Sequence, residues 1–313
     1  MTDGKRERAP ALMRGTLDFD ESKLRPTSIY SSDALAPKEN RALKNFLRNR
    51  AAVFGLIIIC VFLAAAVFAP LIAPFDPAKP DFLLVRKPPT ALNWFGTDEI
   101  GRDVFSRLVY GARASLLAGG CSVLIAVLCG LPLGMLAGYA GGWIDAVISR
   151  CTEALLACPF LILAIALAAF LGPSLTNAMI AIGIAQAPFF IRLARGQTIQ
   201  VKTEDYVEGA RAVGISSLGI AWRYILPNIA APVLVQATLA TAAAIIAEAS
   251  LSFLGLGQQP PAPSWGSMLN VAKNYMEQAP WMSIYPGVAI FLTVLGFNLA
   301  GDGLRDAFDP REQ

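Results

Sequence analysis

Acidic residues stand at two telling places in this 313-residue chain. Asp205 and Glu208 lie three apart and shortly before Gly214, while Glu248 stands alone in a stretch that is otherwise free of Asp, Glu, Lys and Arg from residue 224 to 272. An acidic pair at that spacing reads as a capping box that starts a short helix. Gly214 suits a left-handed stop, and Ser216 can cap a second helix that reaches about Ile225 before Leu226 and Pro227 open the next apolar segment. The product is a helical hairpin on which small residues (Gly209, Ala210, Ala212) leave a surface that another protein can approach closely. The plainer reading is a solvated loop whose Glu208 merely caps a helix.

Glu248 is costly at membrane depth without a partner, so it either faces a pore or hydrogen-bonds neighbouring helices. Asp145 and Glu153 flank Arg150 and read as a local ionic cluster rather than a proton relay. Other chemistries are excluded by what the chain lacks. There is no histidine for a zinc site or a Ser-His-Asp triad, and the five cysteines form no CxxC pair and read as small hydrophobes. No GxxxxGK phosphate loop occurs; the sole Gly-Lys is Gly4-Lys5. A net charge of +3 gives no case for nucleic acid, and no metal ligand set is present.

The elements that must position these residues are legible in the charge spacing. The chain is 55% hydrophobic and 16% charged, against roughly 25% charged in a soluble domain. Residues 51–75, 114–144, 154–191, 224–247, 249–272 and 278–301 carry no charge at all. A bilayer-spanning helix needs roughly 20 mainly apolar residues. The expected fold is therefore all-α and polytopic, with six spans near 51–72, 114–138, 152–170, 177–195, 228–254 and 284–301.

Gly119, Gly120, Gly130, Gly134 and Gly138 suit close helix approach in the second span, and Gly172 with Pro173 divides the long third run in two. Residues 1–50 read as a cytosolic tail ending in a short surface helix near 40–50. Residues 51–311 read as the transmembrane domain, with an outer segment at 76–113, a cytosolic hairpin at 196–227 and an outer Gly/Pro/Trp loop at 255–277. With both termini inside, the inner segments hold 19 of the 26 basic residues, which fits the positive-inside bias.

Four ordered stretches resemble one family. Glu208-Gly209-Ala210, with Gly214 four residues on and Ile225-Leu226-Pro227 beyond, resembles the E-A-A—G loop of ABC-transporter permeases, with Gly209 where the motif has alanine. GTDEIGRDVFSRLVYGARASL (96–116), EASLSFLGLG (248–257) with Pro260, Pro261, Trp265 and Gly266, and FNLAGDGLRD (297–306) followed by Asp309-Pro310-Arg311 are similar to stretches of the second, C-type permease chain of dipeptide/oligopeptide/nickel importers.

That resemblance implies the type I importer permease fold in a prokaryotic inner membrane. It also implies a heterodimeric pore with a homologous permease, two ATPase subunits that bind the ATP and magnesium, and an extracytoplasmic binding protein. The chain itself is then neither an enzyme nor a cofactor binder. Asp205, Glu208, Gly209, Ala210, Gly214, Leu226 and Pro227 become the ATPase-coupling set; Glu248, Phe253 and Trp265 become pore or vestibule candidates. Residues 96–116 read as outer scaffolding, or as a docking or gating element, and the 253–265 region as a re-entrant vestibule loop or a packed cap. The substrate class implied is peptide, with nickel chelates or another small solute as alternatives. An ion- or proton-driven secondary transporter is the competing class; it calls for intramembrane acid/base pairs or inverted repeats, neither of which the sequence displays.

Overall fold

The helix breaks fall where the sequence removes a donor or supplies a cap. In a computed structural model describing residues 38–308, Asn49 separates α1 (Lys38–Arg48) from α2 (Arg50–Val67), accepting from the amides of Ala51 and Ala52 at 3.1 and 3.2 Å. The chain divides into units 1–40 and 41–313; the first holds only the opening residues of α1 within the described range, and the remaining elements belong to the second. Most of the expected tail, and the terminal Asp309-Pro310-Arg311, lie outside the described residues.

Pro70 at the start of α3 (Ala69–Ile72) ends the straight run of α2, so the first expected span is two pieces. Residues 73–103 form a cap built from turns, a 3₁₀ turn at Phe82–Leu84 and a single bridge between Thr97 and Asp103. Asp103 then caps α4 (Val104–Ala140), whose 37 residues make it about 55 Å long. The helix thus begins ten residues before the expected second span, inside what reads in the sequence as outer segment.

The third expected span, 152–170, is not one straight helix. α5 (Gly142–Leu156) and α6 (Phe160–Leu171) meet at a 90° bend around Cys158 and Pro159. Proline lacks the N–H that would carry the helix through, and α6 alone, about 18 Å long, is shorter than the ~30 Å apolar core of a bilayer. Ser174 caps α7 (Leu175–Val201). The hairpin comprises α8 (Asp205–Ala212), α9 (Ser217–Ile220) and a π turn at Ala221–Ile225 that runs on into α10 (Leu226–Phe253). α11 (Trp265–Ala272) and α12 (Trp281–Phe308) complete the described residues.

Among the described residues, five helical stretches are long and apolar enough to cross a membrane, or six if the bent α5–α6 pair counts as one. Among the described residues no strand forms. α7 is the most enclosed of these stretches, packed parallel to α4 along a stripe of glycines. A Cβ added at Gly130 would lie 2.7 Å from Phe190 Cβ, and one at Gly138 would lie 2.7 Å from the Arg195 carbonyl oxygen, so only glycine permits this approach. Gly120, also expected at an interface, meets nothing within 4 Å. α10 crosses α4 and α12 in the opposite sense, and α2 lies against α12 where Gly55 meets Gly296 and Ala300. The core between α4, α6, α7 and α10 is alanine-rich, including Ala126, Ala168, Ala181 and Ala244.

Candidate functional site

The hairpin has two faces. Inward, Val207, Ala210, Ile220, Ile225 and Ile229 are buried against Leu131, Met135 and Tyr139 of α4. Outward stand Asp205, Tyr206, Glu208, Gly209, Arg211, Ala212, Val213, Leu218 and Trp222, all exposed. Ala210 therefore holds the hairpin down rather than adding to an approachable surface, whereas a Cβ at Gly209 would meet nothing within 4 Å.

The capping box expected from Asp205 and Glu208 does not form. The N-cap is Glu204, in extended conformation, and it makes no side-chain cap bond, so Asp205 is already the first helical residue. The stop is the one the sequence implies. Gly214 has φ +83°, its N–H donates to Arg211 O at 3.0 Å, and the Ile215 N–H donates to Ala210 O at 3.1 Å. These are the paired 5→2 and 6→1 bonds of a Schellman stop, closed by contact of Ile215 with the same cluster as Ala210. Ser216 accepts from the Gly219 N–H at 3.2 Å and starts the return arm.

That arm does not end before the following span. The π turn joins it to α10 with Leu226 and Pro227 in the first turn, and residues 217–253 form one continuous helical stretch. Pro227 has no N–H to offer a carbonyl one turn back, and the π turn just before it is where the continuous stretch absorbs that loss.

Glu248 is fully buried. Ser252 Oγ donates to its Oε1 at 2.6 Å and Ser115 Oγ to its Oε2 at 3.0 Å; the Trp265 N–H in turn donates to Ser115 Oγ at 3.3 Å. The carboxylate thus ties α4, α10 and α11 together. Trp265 is likewise fully buried, with its Nε1 donating to Leu108 O at 3.0 Å and its ring edge-on to Phe62 at 5.4 Å. Neither presents a face to an opening. Of the three vestibule candidates, Phe253 alone is exposed, at 37%, with Lys273 Nζ 4.9 Å from its ring centroid.

The cap holds its charges in close pairs. Asp98 binds Arg102 Nε at 2.6 Å and Arg107 Nε at 3.3 Å, while Arg102 reaches Glu99 at 2.6 Å. Asp103 is a helix cap, and Arg113 donates to the carbonyls of Ala66 and Val67, so neither joins the ion pairs. Asp145 pairs with Arg195 on α7, leaving Arg150 with Glu153 at 3.0 Å. Sequence reasoning passed over Gln186 and Gln236, which line a cleft between α7 and α10. Their signal is simple: they are amides inside charge-free apolar runs.

Comparison with known proteins matches this architecture. Residues 130–313 match the family described as "Binding-protein-dependent transport system inner membrane component", and residues 40–89 match "N-terminal TM domain of oligopeptide transport permease C". A dipeptide transport system permease protein of Alkalihalophilus pseudofirmus is 48% identical over 270 residues, covering 86% of this chain and 89% of that one. A di/tripeptide transport system permease protein of Pseudomonas aeruginosa is 45% identical over 276 residues, covering 86% and 90%. A permease chain of the inward-facing MetNI methionine ABC transporter shares the fold with a TM-score of 0.54 at 21% identity, covering 66% of this chain and 98% of that chain. The chain belongs to the family of binding-protein-dependent transport system inner membrane components, the multi-pass permeases of ABC importers.

Proposed function

We propose that this permease forms half of a heterodimeric translocation pore for di- and oligopeptides. A homologous permease supplies the other half, two ATPase subunits seat the hairpin, and an extracytoplasmic binding protein delivers substrate to the opposite end. The peptide class is supported by relatives named as dipeptide and di/tripeptide transport permeases, and by a 44% identical glutathione transport permease of Pectobacterium atrosepticum. The basic-residue bias supports a cytosolic hairpin and cytosolic termini.

The observation that carries the coupling role is the uninterrupted path from residue 217 to 253. ATPase closure presses on the exposed face of α8, where Asp205, Glu208 and Gly209 stand. The inner face of the hairpin, with Ala210, bears on the end of α4, and the return arm passes the displacement through Leu226 and Pro227 into α10. Two spans then move together, and packed interfaces switch between discrete arrangements rather than deform smoothly. Nucleotide and magnesium are held by the ATPases, and this chain contributes the lever.

Glu208→Ala and Gly214→Asp in the assembled transporter test it. Peptide-stimulated ATP hydrolysis in proteoliposomes should fall roughly tenfold, the size of a typical coupling free energy between sites, or the ATPases should cease to co-purify. Unaltered hydrolysis together with full retention removes the assigned role.

A further inference from the structure

The cleft between α7 and α10 has a volume of about 240 Å³ and plays no part in the hairpin lever. One stripe of each helix builds it. Gln186, Phe189 and Phe190 stand at i, i+3 and i+4 on α7, and Gln236 and Ala240 stand at i and i+4 on α10, with Phe160 from the first turn of α6 beside them. Gln186 is the twelfth of the 27 residues of α7 and Gln236 the eleventh of the 28 of α10. Both amides therefore stand near mid-helix, where an unsatisfied polar group costs most.

Gln186 is only 4% exposed, and its Nε2 donates to the Ala240 carbonyl oxygen at 3.3 Å. A carbonyl can face only the NH₂ end of the amide, so the orientation is fixed and Oε1 points away from Ala240. That oxygen is buried and accepts no hydrogen bond among the described residues. A clip between α7 and α10 needs the nitrogen alone. The stranded acceptor, beside the half-buried amide of Gln236, is chemistry for something that enters the cleft.

We infer that Gln186 and Gln236 form a neutral amide subsite on the translocation path that hydrogen-bonds the main chain of a passing peptide. Gln186 Oε1 accepts a peptide N–H, Gln236 offers a donor and a second acceptor, and the phenylalanines receive side chains by contact alone. No charged residue lines the cleft, so it reads the peptide bond and not the termini. Its volume is below the roughly 300 Å³ at which drug-sized ligand sites begin, which fits one or two residues of an extended chain. The inference rests on the peptide reading above.

The test is uptake into proteoliposomes by the complete transporter, using dialanine and dialanine N-methylated at its peptide bond. Wild type should carry dialanine roughly fivefold faster than the methylated probe, the worth of one hydrogen bond. Gln186→Met, which keeps the side chain's length, should slow dialanine by a similar factor and erase the difference between the probes. Gln236→Leu, on the half-buried wall, is the second variant should Gln186→Met fail to assemble, and it should also shrink the difference. Variants that keep the full discrimination overturn the subsite and leave the peptide reading standing. Wild type that carries no di- or tripeptide overturns the peptide reading, and the subsite with it.

Discussion

The two ends of the molecule handle charge in opposite ways. In the cap, Asp98, Arg102 and Arg107 are all at most 6% exposed and satisfy one another, while Asp98 also accepts from the amides of Ile100 and Arg102 at 3.1 and 2.9 Å. Trp281 pins this knot to α12 through Thr97 O at 3.1 Å. In the hairpin, Asp205, Glu208, Arg211 and Arg223 are exposed and make no ion pair among the described residues. A buried, mutually satisfied network holds one geometry, because every alternative strands a charge. An exposed set has hydrogen-bonding capacity left for another chain. The difference teaches that the cap is finished within this polypeptide, whereas the hairpin keeps unspent hydrogen-bonding groups on its outer face, as the proposed lever requires.

The sharpest way to break that comparison is to remove the centre of the cap. Asp98→Ala leaves Arg102 and Arg107 buried with only Glu99 to share, which should cost about 4 kcal/mol. Thermal unfolding of the detergent-solubilised permease should show a collapse in midpoint or no recoverable protein; a near-normal midpoint would mean the cap is not self-contained. Glu248→Ala is the next largest. It takes the shared acceptor from Ser115 and Ser252 and opens a small void between α4, α10 and α11, for about 3 kcal/mol by the same assay, with Glu248→Gln recovering most of the loss.

These two residues also mark what the sequence reveals. The charge-free runs located the bilayer segments, and Gly214 and Ser216 declared their turn chemistry, because caps and stops are local. Glu248 announced only that it needed a partner. Ser115 lies 133 residues away, and the Leu108 carbonyl that holds Trp265 lies 157 away, so no spacing rule points to either. The bend at Pro159 was legible as a proline but not as a 90° turn, since direction after a break is set by what the next helix packs on. A shift of one residue undid the capping box: with Glu204 at the N-cap, Asp205 and Glu208 are left free on the outer face.

At the hairpin, the same method predicts a smaller loss of stability. Gly214→Ala places a Cβ at φ +83°, at a cost of about 1–2 kcal/mol from the left-handed conformation, with no steric clash because nothing lies within 4 Å. Unfolding should shift by that amount, and Gly214→Asn should recover part of it, since Asn tolerates this region of backbone space better. A loss as large as that of Asp98→Ala would show that the hairpin is as self-determined as the cap and would dissolve the contrast.

Glu99 gives the finest cut, because it is a cap carboxylate whose charged form its surroundings disfavour. Burial, then the neighbouring Asp98 charge, raises its carboxyl above the usual value, and the Arg102 guanidinium only partly opposes this. The folded state therefore holds a proton that the unfolded chain has released, over the window from pH 4.5 up to the raised value. Stability must fall as pH rises through that window, because the native state binds more protons there than the unfolded one. Glu99→Gln cannot titrate and keeps an oxygen for Arg102, so it should change stability by less than about 1 kcal/mol. The difference has a definite sign: the variant should gain on wild type as pH rises through the window and hold that gain above it. Urea or thermal melts of the two proteins at several pH values from 4.5 upward measure it. A flat difference, or one running the other way, would mean that Arg102 fully neutralises Glu99.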